Sequence, residues 1–92
     1  MRLLWGRKNK FMKKIITDST FGNNLQKIRL ARGFTQEQTV AKLQVLGSPL
    51  TRGTYSLIEL GRGNIFISDL VGLKQIFNAD YSEFFEGIPP MR

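Results

Sequence analysis

The chain has 92 residues, of which 41% are apolar and 23% charged, enough for one domain around one small core. It contains no Cys and no His, which excludes disulfide frameworks, thiol chemistry, ordinary zinc sites and imidazole-based catalysis. No run approaches the ~18 consecutive apolar residues of a membrane span, and Leu3–Trp5 is too short for a signal-peptide core, so a soluble cytoplasmic protein is expected.

The net charge of +7 is concentrated at the N-terminus. Residues 1–17 contain six Lys or Arg and no acid, whereas residues 18–92 contain eight Lys or Arg and seven Asp or Glu. Clustered positive charge attracts polyanions such as DNA, RNA or acidic lipid, although a solubilising tail has the same composition. A second interpretation is that translation starts at Met12, which makes residues 1–11 an upstream extension without a fold of its own. The sequence leaves these interpretations open.

The first predicted helix begins at Phe21 and ends at Gly33, a residue type that commonly caps helix C-termini. Its inward face is marked by four residues at helical spacing: Phe21, Leu25, Ile28 and Arg32. Thr35 is the predicted N-cap of the second helix, and Gln38 completes a T-x-x-Q capping box. The buried stripe of the second helix consists of three residues: Val40, Leu43 and Leu46.

A Ser-Pro turn precedes the third predicted helix, which Thr51 caps. This helix turns Tyr55 and Ile58 inward and ends near Gly61. A short basic loop, residues 62–64, follows it. The loop is rich in glycine, so no helix is predicted to continue through it.

The fourth predicted helix is defined by five apolar residues at helical spacing: Ile67, Leu70, Leu73, Ile76 and Phe77. A short fifth helix runs from Ser82 to Glu86 and presents Phe84 and Phe85. These two rings either complete the core or form a dimer face. A Pro-Pro pair at 89–90 ends regular structure.

The sequence predicts an all-α fold of five helices on one core, because no segment with the two-residue period of a strand has useful length. It divides the chain into a basic N-terminal arm (1–20), either ordered or disordered, a helical domain (21–88) and a C-terminal tail (89–92). No internal repeat or low-complexity tract interrupts this organisation.

Three stretches carry a family resemblance: LQKIRLARGFTQEQTVAKL, TRGTYSLIELGRGN and ISDLVGLKQIFNADYSEFF. The resemblance rests on the spacing of residues in three motifs. These are Arg-x-x-x-Gly-Phe-Thr-Gln before helix two, Ile-Glu-x-Gly-x-x-Asn after helix three, and Leu-x-x-Leu-x-x-Ile-Phe in helix four. Over about residues 21–87 the chain resembles the Cro/phage-repressor (XRE-type) family of helix-turn-helix transcriptional regulators.

The resemblance implies a compact lambda-repressor-like domain with the helix-turn-helix at helices two and three. It also implies a homodimer that binds double-stranded DNA at an inverted-repeat operator, with no cofactor, metal or membrane involved. The chain departs from the family pattern in three ways. The connection 45–49 between helices two and three is longer, Thr39 stands where a core leucine is usual, and Gly53 and Leu57 stand where polar readers are common.

Four residues are predicted to contact DNA with definite roles. The major groove admits one α-helix whose N-terminal turn faces base edges, so Arg52 is predicted to offer its planar guanidinium to guanine O6 and N7. Gln36, at the N-terminus of helix two, is predicted to bind a phosphate. Arg62 and Asn64 in the glycine loop form a second predicted phosphate clamp.

The remaining predicted DNA-contact positions are Thr51, Gly53, Thr54 and Leu57. Thr51 also caps helix three. Gly53 either lets DNA approach the backbone closely or is a weak spot that costs about 1 kcal/mol relative to Ala. Thr54 donates either to DNA or back to its own helix. Leu57 packs either on a thymine methyl group or in the core.

Arg29 and Glu59 have a structural role in the family pattern. There the two positions form a buried ion pair between helices one and three, which would orient helix three. The alternative is two separate exposed charges, which would contribute little to stability.

The predicted function is a DNA-binding transcriptional regulator, in the first instance a repressor. One alternative is the antitoxin of a toxin–antitoxin pair, which would have a protein partner. Another is a protein-interaction module of the same fold that has lost DNA binding. An enzyme is not expected, because Asp80, Glu83 and Glu86 belong to the surface of a terminal helix and no glycine loop follows a strand.

Overall fold

The computed structural model describes residues 14–90, with Lys14 described through its backbone alone. The predictions for residues 1–13 of the basic arm, including the alternative start at Met12, lie outside the described residues. The same holds for residues 91–92 of the tail.

Five helices and two short strands make up the regular structure of residues 14–90. In chain order they are β1 (Lys14–Ile16), α1 (Ser19–Ala31), α2 (Gln36–Val45), α3 (Arg52–Glu59), β2 (Asn64–Phe66), α4 (Ile67–Phe77) and α5 (Tyr81–Phe85). The prediction of a mostly helical chain with five helices is confirmed. The strictly all-α class is wrong, because β1 and β2 form a small sheet.

The two strands pair antiparallel, with Ile15 opposite Ile65. Ile65 is buried in the core, whereas Ile16 on the other face is 84% exposed. The Thr17 hydroxyl donates to the carbonyl of Gly63 and continues the link between the two segments. Strands of three residues are too short to show a two-residue period in the sequence, which is why they were not predicted. Residues 14–20, assigned to the arm by the sequence, thus contain β1 and the start of α1.

Side-chain caps explain where the helices begin. The Asp18 carboxylate accepts from the backbone N–H of Phe21 at 2.8 Å, so α1 begins two residues before the predicted start. The predicted capping box of α2 is confirmed: Thr35 and Gln38 bond each other's backbone N–H groups at 3.0 and 2.9 Å. Asp80 and Glu83 form a second such box at the start of α5.

All five helices and β2 contribute to one apolar core. Its buried residues are Phe21, Leu25, Ile28, Val40, Leu43, Leu50, Tyr55, Ile58, Ile65, Leu70, Leu73, Phe77, Ala79 and Phe84. Thr39 is also buried, and its hydroxyl donates to the carbonyl of Thr35 at 2.9 Å, so a threonine fits there without an unsatisfied group.

Two residues predicted to face inward do not. Leu46 is 50% exposed, because it lies at the C-cap of α2 beyond the last helical turn. Arg32 lies at the C-cap of α1, where its Nε donates to the carbonyl of Phe77 at 2.7 Å and its side chain pairs with Glu83. Both positions lie where a helical repeat no longer fixes the direction of the side chain.

The connection between α2 and α3 is held by its own hydrogen bonds. The backbone N–H of Ser48 donates to the carbonyl of Leu43 at 3.0 Å, and the Ser48 hydroxyl accepts from the N–H of Leu50 at 3.1 Å. The Gln44 amide donates to the carbonyl of Leu50 at 3.0 Å. Because Leu50 is itself buried, the connection is anchored to the core directly before α3 begins.

α3 packs against both α1 and α2. Its closest approach to α1 is at Gly22, where an added Cβ would lie 2.3 Å from the carbonyl oxygen of Glu59. Any larger residue at position 22 would therefore push the two helices apart. In the part of the chain that the structure describes, no helix is long and apolar enough to cross a membrane.

Candidate functional site

α3 has one buried and one exposed face. Tyr55 and Ile58 are fully buried, as predicted, and Glu59 is 5% exposed. On the other face Arg52, Gly53 and Thr54 are exposed, together with Leu57, which is 44% exposed and does not belong to the core. The first turn of α3 and the residue one turn further along therefore share one open surface.

The exposed charged residues on α3 and in the loop that follows it are positive. Between residues 51 and 68 the charged residues are Arg52, Glu59 and Arg62, and Glu59 is buried and paired. Arg62 is exposed in the loop after α3, where its backbone N–H donates to the carbonyl of Leu57 at 2.9 Å. Asn64 is exposed as well, although it begins β2 and is not a loop residue as predicted.

Thr51 is engaged as the N-cap of α3. Its hydroxyl oxygen accepts from the backbone N–H of Thr54 at 3.2 Å, and its proton is donated to the Thr54 hydroxyl, also at 3.2 Å. The Thr54 hydroxyl accepts this bond, so its own proton remains available to a partner outside the helix. Of the two hydroxyls, the one at position 54 is thus better placed to contact a ligand.

The structure pairs Arg29 of α1 with Glu59 of α3. The guanidinium donates through Nε and Nη2 to the two carboxylate oxygens at 2.6 and 3.0 Å, and a third bond, from Nη1, goes to the carbonyl of Phe34 at 2.8 Å. The side chains are 8% and 2% exposed. A buried pair with two parallel bonds fixes the rotation of α3 relative to α1, in addition to the packing at Gly22.

The pKa values of this cluster reflect its mutual hydrogen bonds. Burial acts to raise the pKa of Glu59, but the bonds from Arg29 and Gln36 and the adjacent Tyr55 hydroxyl outweigh burial, so that pKa lies below its ordinary value. The hydrogen bond to Glu59 raises the pKa of Arg29. Burial, reinforced by the Glu59 carboxylate, raises the pKa of Tyr55. The pair therefore stays charged near neutral pH.

A chain of polar contacts leads from this buried pair to the surface. The Gln36 amide nitrogen donates to Glu59 at 3.0 Å, and its amide oxygen accepts from the Nε of Arg52 at 3.3 Å. Arg52 also lies beside Glu37, with 3.4 Å between Nη1 and the carboxylate oxygen. The side chain of Gln36, predicted to bind a phosphate, is thus used within the protein to connect α3 to the start of α2.

Gly53 differs from the other glycines of the described residues. Each of those either has a positive φ or lies where an added Cβ would come within 3.3 Å of a neighbouring atom. At Gly53 the φ is not positive, and a Cβ would meet nothing within 4 Å. Nothing inside the described fold therefore requires a glycine at this position of a helix, where glycine is unfavourable.

Sequence reasoning missed two residues of this site. Glu37 was not singled out, because its contact with Arg52 joins two helices whose packing the sequence does not encode locally. Gly22 gave no signal, because a glycine inside a helix does not reveal which neighbour approaches it. Both roles depend on how α1, α2 and α3 are arranged.

Other kinds of site find less support among residues 14–90. No group of three or more Asp or Glu is arranged to hold a metal ion there. An open groove of about 240 Å³ lies between α1 and α5, lined by basic and acidic side chains together. It contains none of the predicted DNA-contact residues.

Comparison with known proteins gives no significant match to a family model, to a curated protein or to a solved structure. The function must therefore be argued from the chemistry of the exposed α3 face. That face combines an arginine, a hydroxyl, an apolar side chain and an unexplained glycine on one rigidly held helix.

Proposed function

We propose that the protein is a sequence-specific double-stranded DNA-binding regulator of transcription, in the first instance a repressor of the Cro/phage-repressor type. In this proposal α2 and α3 act as the helix-turn-helix, and α3 lies in the major groove. The observation that carries the proposal is the exposed face of α3, which presents Arg52, Gly53, Thr54 and Leu57 while its opposite face is locked into the core.

The chemistry of this face suits base edges. An arginine can donate two hydrogen bonds to guanine O6 and N7, and an apolar side chain can pack on a thymine methyl group. Arg52 and Leu57 would take these roles, and the free Thr54 proton would reach a base or a phosphate. Arg62 and Asn64, exposed beyond the C-terminus of α3, would contact phosphates.

Rigidity supports the same proposal. Base readout needs side chains held in a fixed register, and a helix that rotated on the core would lose it. The Arg29–Glu59 pair and the close contact at Gly22 hold α3 from behind, while Gln36 holds its first turn from the side. The cluster thus supports a recognition role without contacting a base itself.

The partner would be an inverted-repeat operator in the cytoplasm, bound by a homodimer. Selection of sites from random double-stranded DNA tests this directly. We expect a consensus with two-fold symmetry and half-site centres about one helical turn, ~34 Å, apart. A consensus without symmetry would contradict the dimer, and the absence of any enriched sequence would contradict sequence-specific binding.

Arg52→Ala tests the placement of α3 on the selected site. The substitution should cost ~1–3 kcal/mol of binding free energy and relax discrimination at one base position per half-site. Lys27→Ala on α1 is the control, because it removes one exposed positive charge away from α3. If Arg52→Ala weakens specific and random DNA equally, as a lost phosphate contact would, α3 does not read bases through Arg52.

A protein-interaction role, as an antitoxin or as a binding module, is the second candidate. It is supported by exposed apolar side chains at the end of α2 and on α4: Val45 at 87%, Leu46 at 50%, and Ile67 and Val71 each at 46% exposure. The two candidates differ in salt response. DNA binding should weaken steeply as salt rises, and a flat response would favour the interaction module.

A further inference from the structure

Arg52 is folded back onto the start of α2 and does not extend away from the protein. Its Nε donates to the amide oxygen of Gln36 at 3.3 Å, and its Nη1 lies 3.4 Å from the carboxylate of Glu37. Neither partner lies on the same helix as Arg52. The contacts therefore follow from the packing of α2 against α3.

The ion pair of Arg52 and Glu37 is exposed to solvent and can be broken at little cost in stability. The side chains of Arg52 and Glu37 are 56% and 66% exposed, and an exposed pair of this kind contributes little stability. A guanidinium binds carboxylate and phosphate through the same fork of N–H donors, so an arriving phosphate or base edge must replace the carboxylate.

We propose, on the basis of the proposed DNA binding, that Glu37 is a positioning residue that holds Arg52 on α2 in the free protein and thereby lowers affinity for DNA of any sequence. Binding requires Arg52 to leave Glu37. The Gln36 amide remains bonded to Glu59 when Arg52 leaves Glu37.

Glu37→Gln tests the proposal without needing the operator. The probe is a labelled double-stranded DNA of mixed sequence and ~20 base pairs, about two helical turns. The substitution keeps the shape of the side chain and removes its charge. We expect affinity to rise about two- to five-fold, because Arg52 no longer has to leave a carboxylate before it contacts DNA.

Two further variants separate this mechanism from a general charge effect. Glu86→Gln removes one exposed negative charge at the end of α5 and should leave affinity nearly unchanged. In the Arg52→Ala background, Glu37→Gln should have no effect. A gain that persists without Arg52 would mean that Glu37 repels phosphates directly, and it would overturn the proposed role.

The outcomes also separate this inference from the function on which it rests. If the unaltered protein binds no DNA at low salt, the proposed function fails and the role of Glu37 fails with it. If it binds DNA and Glu37→Gln leaves the affinity unchanged, the inference alone fails. As an independent readout in the free protein, the nuclear magnetic resonance signals of the Arg52 Nη–H protons, which lie beside Glu37, should exchange faster with solvent after Glu37→Gln.

Discussion

Gly53 is the residue at which stability and the proposed function should oppose each other. The helix around it would be more stable with alanine by about 1 kcal/mol, and the space for a Cβ is open. If DNA approaches the α3 backbone at this point, the same methyl group would keep it away. Gly53→Ala should therefore raise the free energy of unfolding, measured in urea, and weaken binding to the selected DNA site.

Asn23→Ala serves as the control for Gly53→Ala. Asn23 is exposed on α1, and alanine there should also stabilise a helix, by a few tenths of a kcal/mol, without a change in DNA binding. A Gly53→Ala variant that is more stable and binds DNA as tightly as before would mean that the glycine is only a weak spot. Of the two alternatives at this residue, the close approach of DNA to the backbone would then be excluded.

The residue scale also shows the limits of sequence reasoning. The Thr35–Gln38 capping box was predictable, because both partners lie within one helical turn and the motif has a fixed spacing. The contacts of Gln36 with Glu59 and Arg52 were not, since each joins residues of different helices. The sequence identified Gln36 as a site residue, but its neighbours depend on tertiary packing.

At the scale of elements, the relation between α1 and α3 depends on one buried ion pair. Arg29→Ala would leave the Glu59 carboxylate buried without its partner, at a cost of ~3–5 kcal/mol. We expect lower DNA affinity as well, because α3 would no longer be held in one rotation. Thermal and urea unfolding measure the first effect, and binding to the selected site measures the second.

Two further variants define the Arg29 experiment. The double change Arg29→Met with Glu59→Leu removes both charges and should recover much of the stability, because apolar side chains of similar size fill the space. Lys27→Ala, at an exposed cation of the same helix, should cost about 1 kcal/mol or less. An unchanged melting temperature in Arg29→Ala would show that the pair contributes nothing to holding α3.

The pair also predicts a pH dependence. Because the folded-state pKa of Glu59 is lowered, its contribution is complete above the unfolded value of about 4.5 and is lost as pH falls through the folded-state pKa. The protein should therefore lose more stability in acid than the Arg29→Met, Glu59→Leu variant does. Equal acid sensitivity of the two proteins, measured by urea unfolding from pH 7 to about 3, would contradict this linkage.

At the scale of elements, the pairing of the two strands and the anchoring of the long α2–α3 connection could not be predicted from the sequence. β1 and β2 have three residues each and are separated along the chain by α1, α2 and α3, so neither strand carries a local sequence signal. The connection was visible as an insertion, but its anchoring by Gln44 and the buried Leu50 follows from packing. The helices were predictable because their apolar repeats and caps are local.

At the scale of the whole molecule, positive charge is distributed in two parts. Residues 1–17 carry six Lys or Arg and no acid, whereas the rest of the chain is nearly balanced. The exposed acids of the described residues are Asp18, Glu37, Asp80 and Glu86, and none of them lies between positions 51 and 68. A DNA contact centred on α3 would therefore depend on few charges of its own and leave a large share of phosphate attraction to the N-terminal residues.

Deleting residues 1–11 tests whether the N-terminal residues supply a large share of the attraction to phosphates. The deletion removes Arg2, Arg7, Lys8 and Lys10 and ends before β1, so the sheet with β2 is retained. If all four cations neutralise phosphates, the magnitude of the log–log salt slope should fall by up to roughly 3–4, while the selected consensus stays the same. A full-length control with these four residues changed to Gln should behave like the deletion, because charge and not length is responsible. An unchanged slope and affinity would mark residues 1–11 as an extension that plays no part in DNA binding. The electrostatic attraction would then have to come from the cations that remain, among them Arg52 and Arg62 at the proposed contact.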